Sequence, residues 1–314
     1  VIEDIKFIQL GRNLEMTKVK VRIPATTANM GPGFDTLGMA LKLYNEIEVE
    51  EVDRQTEIYN NNLKSEEDFK DNLIYKSIAE TMDRQKYPYS GFKINVIRCD
   101  IPISRGLGSS SACIVGGIAA ANAIMGNSMN LGDIIDLATK IEGHPDNVVP
   151  AVLGGMVVSL KVGEEIKYSK VSIPNKLKFV AMIPSFQVST ALSRKVLPDT
   201  YLKEDCIFNI SRSAMLISAL YNSEFDKLRI CFGDRVHQPY RKNLIKNSDA
   251  IFKKSRELGS VGEFISGSGS TLMAVLDGNV DEFIKAMREF LDELEDKWNV
   301  ISLEPDLEGV KIAG

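Results

Sequence analysis

At 314 residues, the chain is long enough for one large domain or two of ordinary size. Hydrophobic residues make up 44% and charged residues 26%, the balance of a soluble globular protein. With 38 basic against 43 acidic side chains the net charge is −5, so nucleic acid and anionic membranes meet no global attraction and an anionic ligand must be held by local groups.

The first fifteen residues, 1–15, precede Met16 and read as a natural extension or a remnant of expression; no functional argument uses them. Val19, Val21 and Ile23 alternate with Lys18, Lys20 and Arg22, the pattern of a half-buried strand that Pro24 ends. A small-residue loop with two glycines, A-T-T-A-N-M-G-P-G-F-D, follows. Tyr44 to Val52 alternates again, Tyr59 to Lys70 is polar enough for a surface excursion, and Asn72 to Gln85 has helical spacing. Phe92 to Arg98 is a third strand. It runs through I-P-I-S-R-G-L-G-S-S-S into an almost wholly apolar helix from Ala112 to Met125. A helix from Leu131 to Glu142 then leads to G-H-P-D-N-V-V-P-A-V-L-G-G and a buried strand, Met156 to Leu160. Beyond Pro174 the pattern restarts with a strand at Phe179 to Ile183 and two or three helices between Thr190 and Leu258. A Gly-rich strand–turn–strand, an amphipathic helix from Val280 to Leu294 and a last strand near Val300 close the chain. No Pro/Ser/Gly linker separates the halves, so two α+β lobes, 17–170 and 171–314, are expected to pack tightly.

The four cysteines form no C-x-x-C pair and the two histidines form no H-E-x-x-H, which argues against a zinc site or a Cys-dependent hydrolase. No apolar run reaches ~18 residues and no signal peptide is visible, so the cytoplasm is the expected location.

The strongest local signal is Gly106-Leu107-Gly108-Ser109-Ser110-Ser111-Ala112. Two glycines let the backbone approach a ligand, and the N–H groups and positive dipole end of the next helix make an anion cradle. The loop lacks the lysine of a Walker A motif. The final Gly or Ala of a dinucleotide fingerprint is missing too, since Ser111 stands there. Taken alone, the same residues would also serve as a plain strand-to-helix turn capped by serine.

The longer string Ile101-Pro102-Ile103-Ser104-Arg105-Gly106-Leu107-Gly108-Ser109-Ser110-Ser111-Ala112 resembles the ATP-binding signature of the GHMP kinases. Pro24 to Asp35 resembles that family's first motif and Phe264 to Ala274 its third, so three motifs occur in the family's order. The resemblance implies an α+β, two-lobed fold, with a first lobe like domain 2 of ribosomal protein S5 and a ferredoxin-like second lobe. It also implies ATP and Mg2+, with the nucleotide on Pro102 to Ala112 and its nucleoside near Asn72.

Within the family, E-G-H-P-D-N-V-V-P-A-V-L-G-G is similar to the version carried by the homoserine-phosphorylating branch. Two second-lobe segments, Ser189 to Arg194 and Asp234 to Arg241, agree with it. L-homoserine is a zwitterion, which needs a carboxylate for its ammonium and guanidinium forks for its carboxylate. The resemblance assigns these contacts to Asn29, Asp35, His144, Asp146, Thr190, Arg194 and Arg241, although Asn29 and Asp35 would also suit an Asx turn and Asp146 a helix cap. It assigns the metal to Ser110 and to an acid eight residues before His144, which is Asp136 where the family usually has glutamate. Asn147 stands where relatives that phosphorylate mevalonate have an aspartate. Either no side-chain base exists and the hydroxyl proton passes to the phosphate itself, or Asp35 or Asp146 takes it. The expected partners are therefore L-homoserine and ATP, with no nucleic acid and no membrane and with a homodimer left open, on the route to threonine. The alternatives are a GHMP kinase for another small alcohol, mevalonate-like or a sugar, and a non-catalytic metabolite-binding regulator of the same fold.

Overall fold

A computed structural model describes residues 18–313; the expectation for 1–15 lies outside them. In chain order the first lobe contains β1 (Lys18–Ala28), β2 (Leu37–Val52), β3 (Glu57–Asn60), β4 (Leu63–Lys64), α1 (Leu73–Arg84), β5 (Gly91–Cys99) and α2 (Ser109–Ile124). α3 (Leu131–Glu142), α4 (Pro145–Leu153), β6 (Met156–Val162) and β7 (Glu165–Val171) complete it. The second contains β8 (Lys178–Pro184), α5 (Thr190–Lys195), α6 (Lys203–Asn222), α7 (Phe225–Cys231), α8 (Gln238–Arg241) and α9 (Ser248–Glu257). β9 (Gly262–Ile265), β10 (Leu272–Leu276), α10 (Val280–Asp292) and β11 (Trp298–Leu303) follow, and β12 (Lys311–Ala313) ends the described chain.

The first sheet runs β12-β1-β2-β5-β3-β4, with β6 on the early part of β2 and β7 on β6. The sixteen-residue β2 serves two partners, Leu37 to Met39 facing β6 and Asn45 to Val52 facing β5. Every pairing is antiparallel except β3 with β5, which α1 connects as a β-α-β unit. α2 lies under this sheet. Its residues from Ser111 to Ile124 are almost all buried, which accounts for a sequence that is apolar on every side. It approaches α1 closely enough that a Cβ on Gly117 would come within 2.6 Å of the Ile74 carbonyl oxygen. The second sheet is wholly antiparallel in the order β11-β8-β10-β9, the ferredoxin-like arrangement. The two-lobed α+β fold expected from the three motifs is therefore the one observed.

The differences are local. Part of the expected surface excursion at Tyr59 to Lys70 is strand, because Ile58, buried to 3% exposure, anchors β3 beside β5 while its neighbours stay wet. The strand at Met156 is buried only at its start, and Leu160 stands 52% exposed. Five α-helices occupy residues 190 to 257 where two or three were expected, since short turns divide them. The chain's last described strand crosses back over the division between the lobes. β12 pairs with β1, and Asp306 accepts from the Tyr44 hydroxyl at 2.7 Å, so the chain's end belongs to the first sheet.

Gly38 in β2 lies beneath the main chain of α4, where a Cβ would come within 1.6 Å of the Asp146 carbonyl oxygen. Gly38→Ala should therefore lift α4 from the sheet and cost ~1–3 kcal/mol of stability. In scanning calorimetry Gly278→Ala, where nothing lies within 4 Å, should melt like the parent.

Candidate active site

The three Gly-rich segments meet main chain to main chain. Gly106 and Gly108 both have positive φ, at 74° and 72°. A Cβ on Gly106 would meet the Ser266 carbonyl oxygen at 2.1 Å, and one on Gly108 would meet Thr26 Oγ1 at 2.0 Å. Hydrogen bonds close the same seams. Thr26 N–H donates to the Leu107 carbonyl at 3.1 Å, Gly267 N–H to Ala28 at 3.1 Å and Thr271 N–H to Arg105 at 3.1 Å. The N-cap of α2 is Gly108, and no side chain caps it, so the first-turn N–H groups remain available to an anion.

Ser110 and Ser111 donate their hydroxyls to the two carboxylate oxygens of Glu142, at 2.8 and 2.9 Å. A hydroxyl and a carboxylate at the mouth of the cradle form the hard-oxygen donor set that suits magnesium. Glu142, at the end of α3, was not singled out in the sequence. Asp136, the acid expected in that role, is not brought to the loop; its Oδ1 accepts the Ile166 N–H at 2.8 Å, on the edge of β7. Six residues of helix turn it roughly 240° away from Glu142.

The loop opens into a cavity of about 410 Å³ that reaches the second lobe. At its far end Arg194 grips both oxygens of Asp35, at 2.7 and 3.1 Å. Arg241, 2% exposed, donates to the Gly267 carbonyl at 2.8 Å. The Phe34 ring centre lies 5.7 and 5.2 Å from the two guanidiniums, and the ring stacks on His237. Burial, reinforced by the charge of Arg194, lowers Arg241 to about 10, which still leaves it cationic at neutral pH. His237 has no exposed surface. Its Nε2 bonds the Gly31 carbonyl at 2.8 Å while its Nδ1 faces Arg241 at 3.3 Å. Desolvation holds this imidazole below its usual range, so it is neutral, with Nε2–H donating and Nδ1 accepting.

Opposite the arginines, His144 Nδ1 contacts Asp146 Oδ1 at 2.7 Å. Burial works against charge on this imidazole, but the Asp146 hydrogen bond and carboxylate, with Glu142, outweigh it and raise the pKa above the ordinary 6.5. Thr26 donates to Asn147 Oδ1 at 2.8 Å, which turns the Asn147 amino group toward Asp146, 3.4 Å away. Asp35, His144 and Asp146 converge within 4.8 Å. Arg194 already occupies both oxygens of Asp35. The cluster leaves the Asp146 carboxylate, seated by His144, facing the cavity.

Several of the expected contacts are also tied into the framework, Asn29 and Arg105 while lining the cavity. Asn29 spends its carboxamide on the Gly267 carbonyl at 2.9 Å and the Asp35 N–H at 3.0 Å. Asn72 caps α1 by accepting from Ile74 and Tyr75, and Asp71 and Leu73 line the cavity beside it. The Arg105 guanidinium is held by the carbonyls of Pro184, Ser185 and Ile103. Leu107 and Ala112 are buried in the core. Ile103, Ser104, Ser109 and Thr190 line the cavity, whereas Pro102 does not. Cys113 lines it too, with burial pushing its thiol up to about 11 and away from nucleophilic use.

Residues 72–155 match the N-terminal domain of the GHMP kinases and residues 216–293 their C-terminal domain. The chain is 77% identical over 297 residues to homoserine kinase of Clostridium kluyveri, covering 95% of this chain and 99% of that one. It is 53% identical to homoserine kinase of Clostridium novyi, covering 94% and 98%. In structure it is similar to homoserine kinase of Cytophaga hutchinsonii, with a TM-score of 0.85, 24% identity and coverage of 100% and 99%. Mevalonate kinase of Methanococcus jannaschii gives a TM-score of 0.64 at 16% identity over 92% and 98%. These two likenesses speak to the fold.

With two histidines in the chain, imidazole resonances are separable by NMR. His144 should titrate above 6.5 and His237 should stay neutral to well below it. Asp146→Asn should lower the His144 midpoint, since it removes the partner that raises it. The stability His144 contributes is full below about pH 6.5 and is lost as the pH rises through its raised midpoint. Two imidazoles titrating together would contradict this arrangement.

Proposed function

The chain belongs to the GHMP kinases, in their homoserine kinase branch, and from that premise we propose that it transfers the γ-phosphate of ATP to the side-chain hydroxyl of L-homoserine, giving O-phospho-L-homoserine and ADP. One observation carries the reading. A single cavity joins an uncapped helix N-terminus to an end where two guanidiniums converge with two carboxylates, Asp35 paired with Arg194 and Asp146 with His144. That end complements a small zwitterion, whereas a sugar would use neither pair of charges and mevalonate would leave the carboxylates unmatched.

The N–H groups of Ser109 to Ser111 would hold the phosphates, and Leu73, Ile103 and Cys113 would wall the nucleoside. Ser110 and Glu142 would hold the magnesium that accompanies ATP, which when bound offsets charge on the phosphates. Arg194 and Arg241 take the amino acid's carboxylate, while Asp146 and Asp35 take its ammonium. Asp35 is held by Arg194 and Asp146 by His144, so each is oriented before the ligand arrives. Asn147, locked by Thr26, presents an amino group to the acceptor hydroxyl and cannot accept its proton. We therefore favour passage of that proton to the transferred phosphoryl group, because a loose transition state gains little from early deprotonation. No helix among the described residues is long and apolar enough to cross a membrane.

A panel of homoserine, mevalonate, galactose and shikimate, followed by ADP release, tests the assignment; homoserine should be strongly preferred. Arg241→Ala should raise the homoserine KM by an amount worth ~2–5 kcal/mol with little change for ATP, because it leaves a desolvated carboxylate unpaired. Loss of ATP affinity with normal homoserine binding would overturn the placement. A second comparison separates the two acids. Glu142→Gln should raise the magnesium concentration needed for half-maximal rate at least tenfold, and Asp136→Asn should leave it unchanged.

A further inference from the structure

A second cavity, of about 660 Å³ against about 410 Å³ at the active site, opens where the chain passes between the lobes, and the two share no lining residue. One side is the outward crossing, from Lys170 of β7 to Lys178 of β8. The other is the return, Glu304 to Leu307, with Lys42 of β2 beside it. Much of the lining is apolar. Met156 and Leu177 are buried, Ile173 is half-buried, and Leu307 stands 68% exposed at the rim. The charges do not balance. Three lysines, Lys42, Lys170 and Lys178, meet one carboxylate, Glu304. Lys42 takes that carboxylate at 2.7 Å and, with the charge of Lys178 added, holds it below the ordinary carboxylate range. Lys170 donates to a neutral group, the Leu153 carbonyl, at 2.6 Å. The Lys178 ammonium has no hydrogen-bond or ion-pair partner among the described residues, although the residue is half-buried. Two uncompensated positive charges therefore stand beside an apolar lining.

We propose that this cavity is a second ligand site, for a small monocarboxylate with a branched apolar tail and no ammonium group. The carboxylate is taken by Lys170 and Lys178, and the tail lies on Ile173, Leu177 and Leu307. Each part of that ligand answers a feature of the lining. Its anion supplies the charge that Glu304, already committed to Lys42, cannot give. Its tail gains by leaving water for the apolar lining. An ammonium would find no free carboxylate and would be repelled by the same two lysines. A phosphate group is matched less well, because no arginine and no helix N-terminus lines the cavity. The volume falls among small-molecule sites, which run from about 300 to 1,000 Å³.

Isothermal titration calorimetry of the full chain with 4-methyl-2-oxopentanoate should show saturable binding of one molecule per chain. ADP and homoserine at saturation should not displace it. Pyruvate keeps the carboxylate without the tail, leucine adds an ammonium, and inorganic phosphate is an anion alone. Each should bind more weakly by roughly tenfold or more. Lys178→Met keeps an apolar stem and removes the charge, and it should weaken the oxo acid by roughly tenfold or more. Leu307→Ser, at an exposed position, should weaken it several-fold with an unchanged far-UV circular dichroism spectrum. The active site also holds a guanidinium for carboxylates, so Arg241→Ala is the control and should leave oxo-acid affinity as it was. Absence of saturable binding, leucine or phosphate binding as tightly, or displacement by homoserine would overturn the proposal. So would an affinity that falls in Arg241→Ala and holds in Lys178→Met.

Discussion

The closeness of three main-chain segments is the constraint on which the rest of the molecule depends. The loop before α2 can form an anion cradle only because glycine stands wherever another backbone or a threonine side chain presses against it. The segments meeting there come from residues far apart in sequence, Thr26 to Ala28, Arg105 to Gly108 and Ser266 to Thr271. One contact therefore fixes both the lobe interface and the floor of the site. Beyond its first turn α2 can be devoted to the core, because its useful end is main chain and the hydroxyls of Ser110 and Ser111.

At the acceptor end the same economy applies to charge. Each carboxylate has a cationic or imidazole partner. Asp35 is fixed by Arg194, and Asp146 by His144. Arg241 is fixed by Gly267 and by a neutral His237 that also grips Gly31. A chain of oriented groups with few free rotors pays little ordering entropy when a ligand arrives. The neutral state of His237 matters here, because a second buried cation beside Arg241 and Arg194 would push the guanidiniums apart.

The Gly-Ser loop, both arginines and the H-P-D-N segment were legible in the sequence because they lie in short contiguous strings. The two lobes were legible through the alternation of Val19, Val21 and Ile23 and its recurrence at Phe179. Glu142 was not, although it stood in a quoted string. Counting along a helix identifies an acid but not the face it occupies, and Asp136 was favoured over a neighbour one and a half turns later. Phe34 and Thr26 were missed for another reason. Their contacts are long-range, and nothing in the local pattern marks an aromatic ring as the neighbour of two cations. β7 and β12 were missed because edge strands bury too few side chains to alternate clearly, with Ile166 the one buried position of β7.

The return of β12 to β1 has a bearing on how the chain is made. The first lobe supplies most of its sheet from residues up to 171, but its edge strand comes from 311–313. A ribosome emits the N-terminal part first, and domains commonly fold as they emerge. Here that order is blocked at the last step. The first lobe can collapse around α2 early, yet its sheet keeps an open edge beside β1 until residues 311–313 have been made. The whole second lobe must therefore be synthesised, and the tail laid back with its Asp306 on Tyr44, before the first is finished. An unpaired strand edge held open for that interval is a place where nascent chains can join one another, so the newly made protein should lean on chaperones more heavily than its modest size suggests.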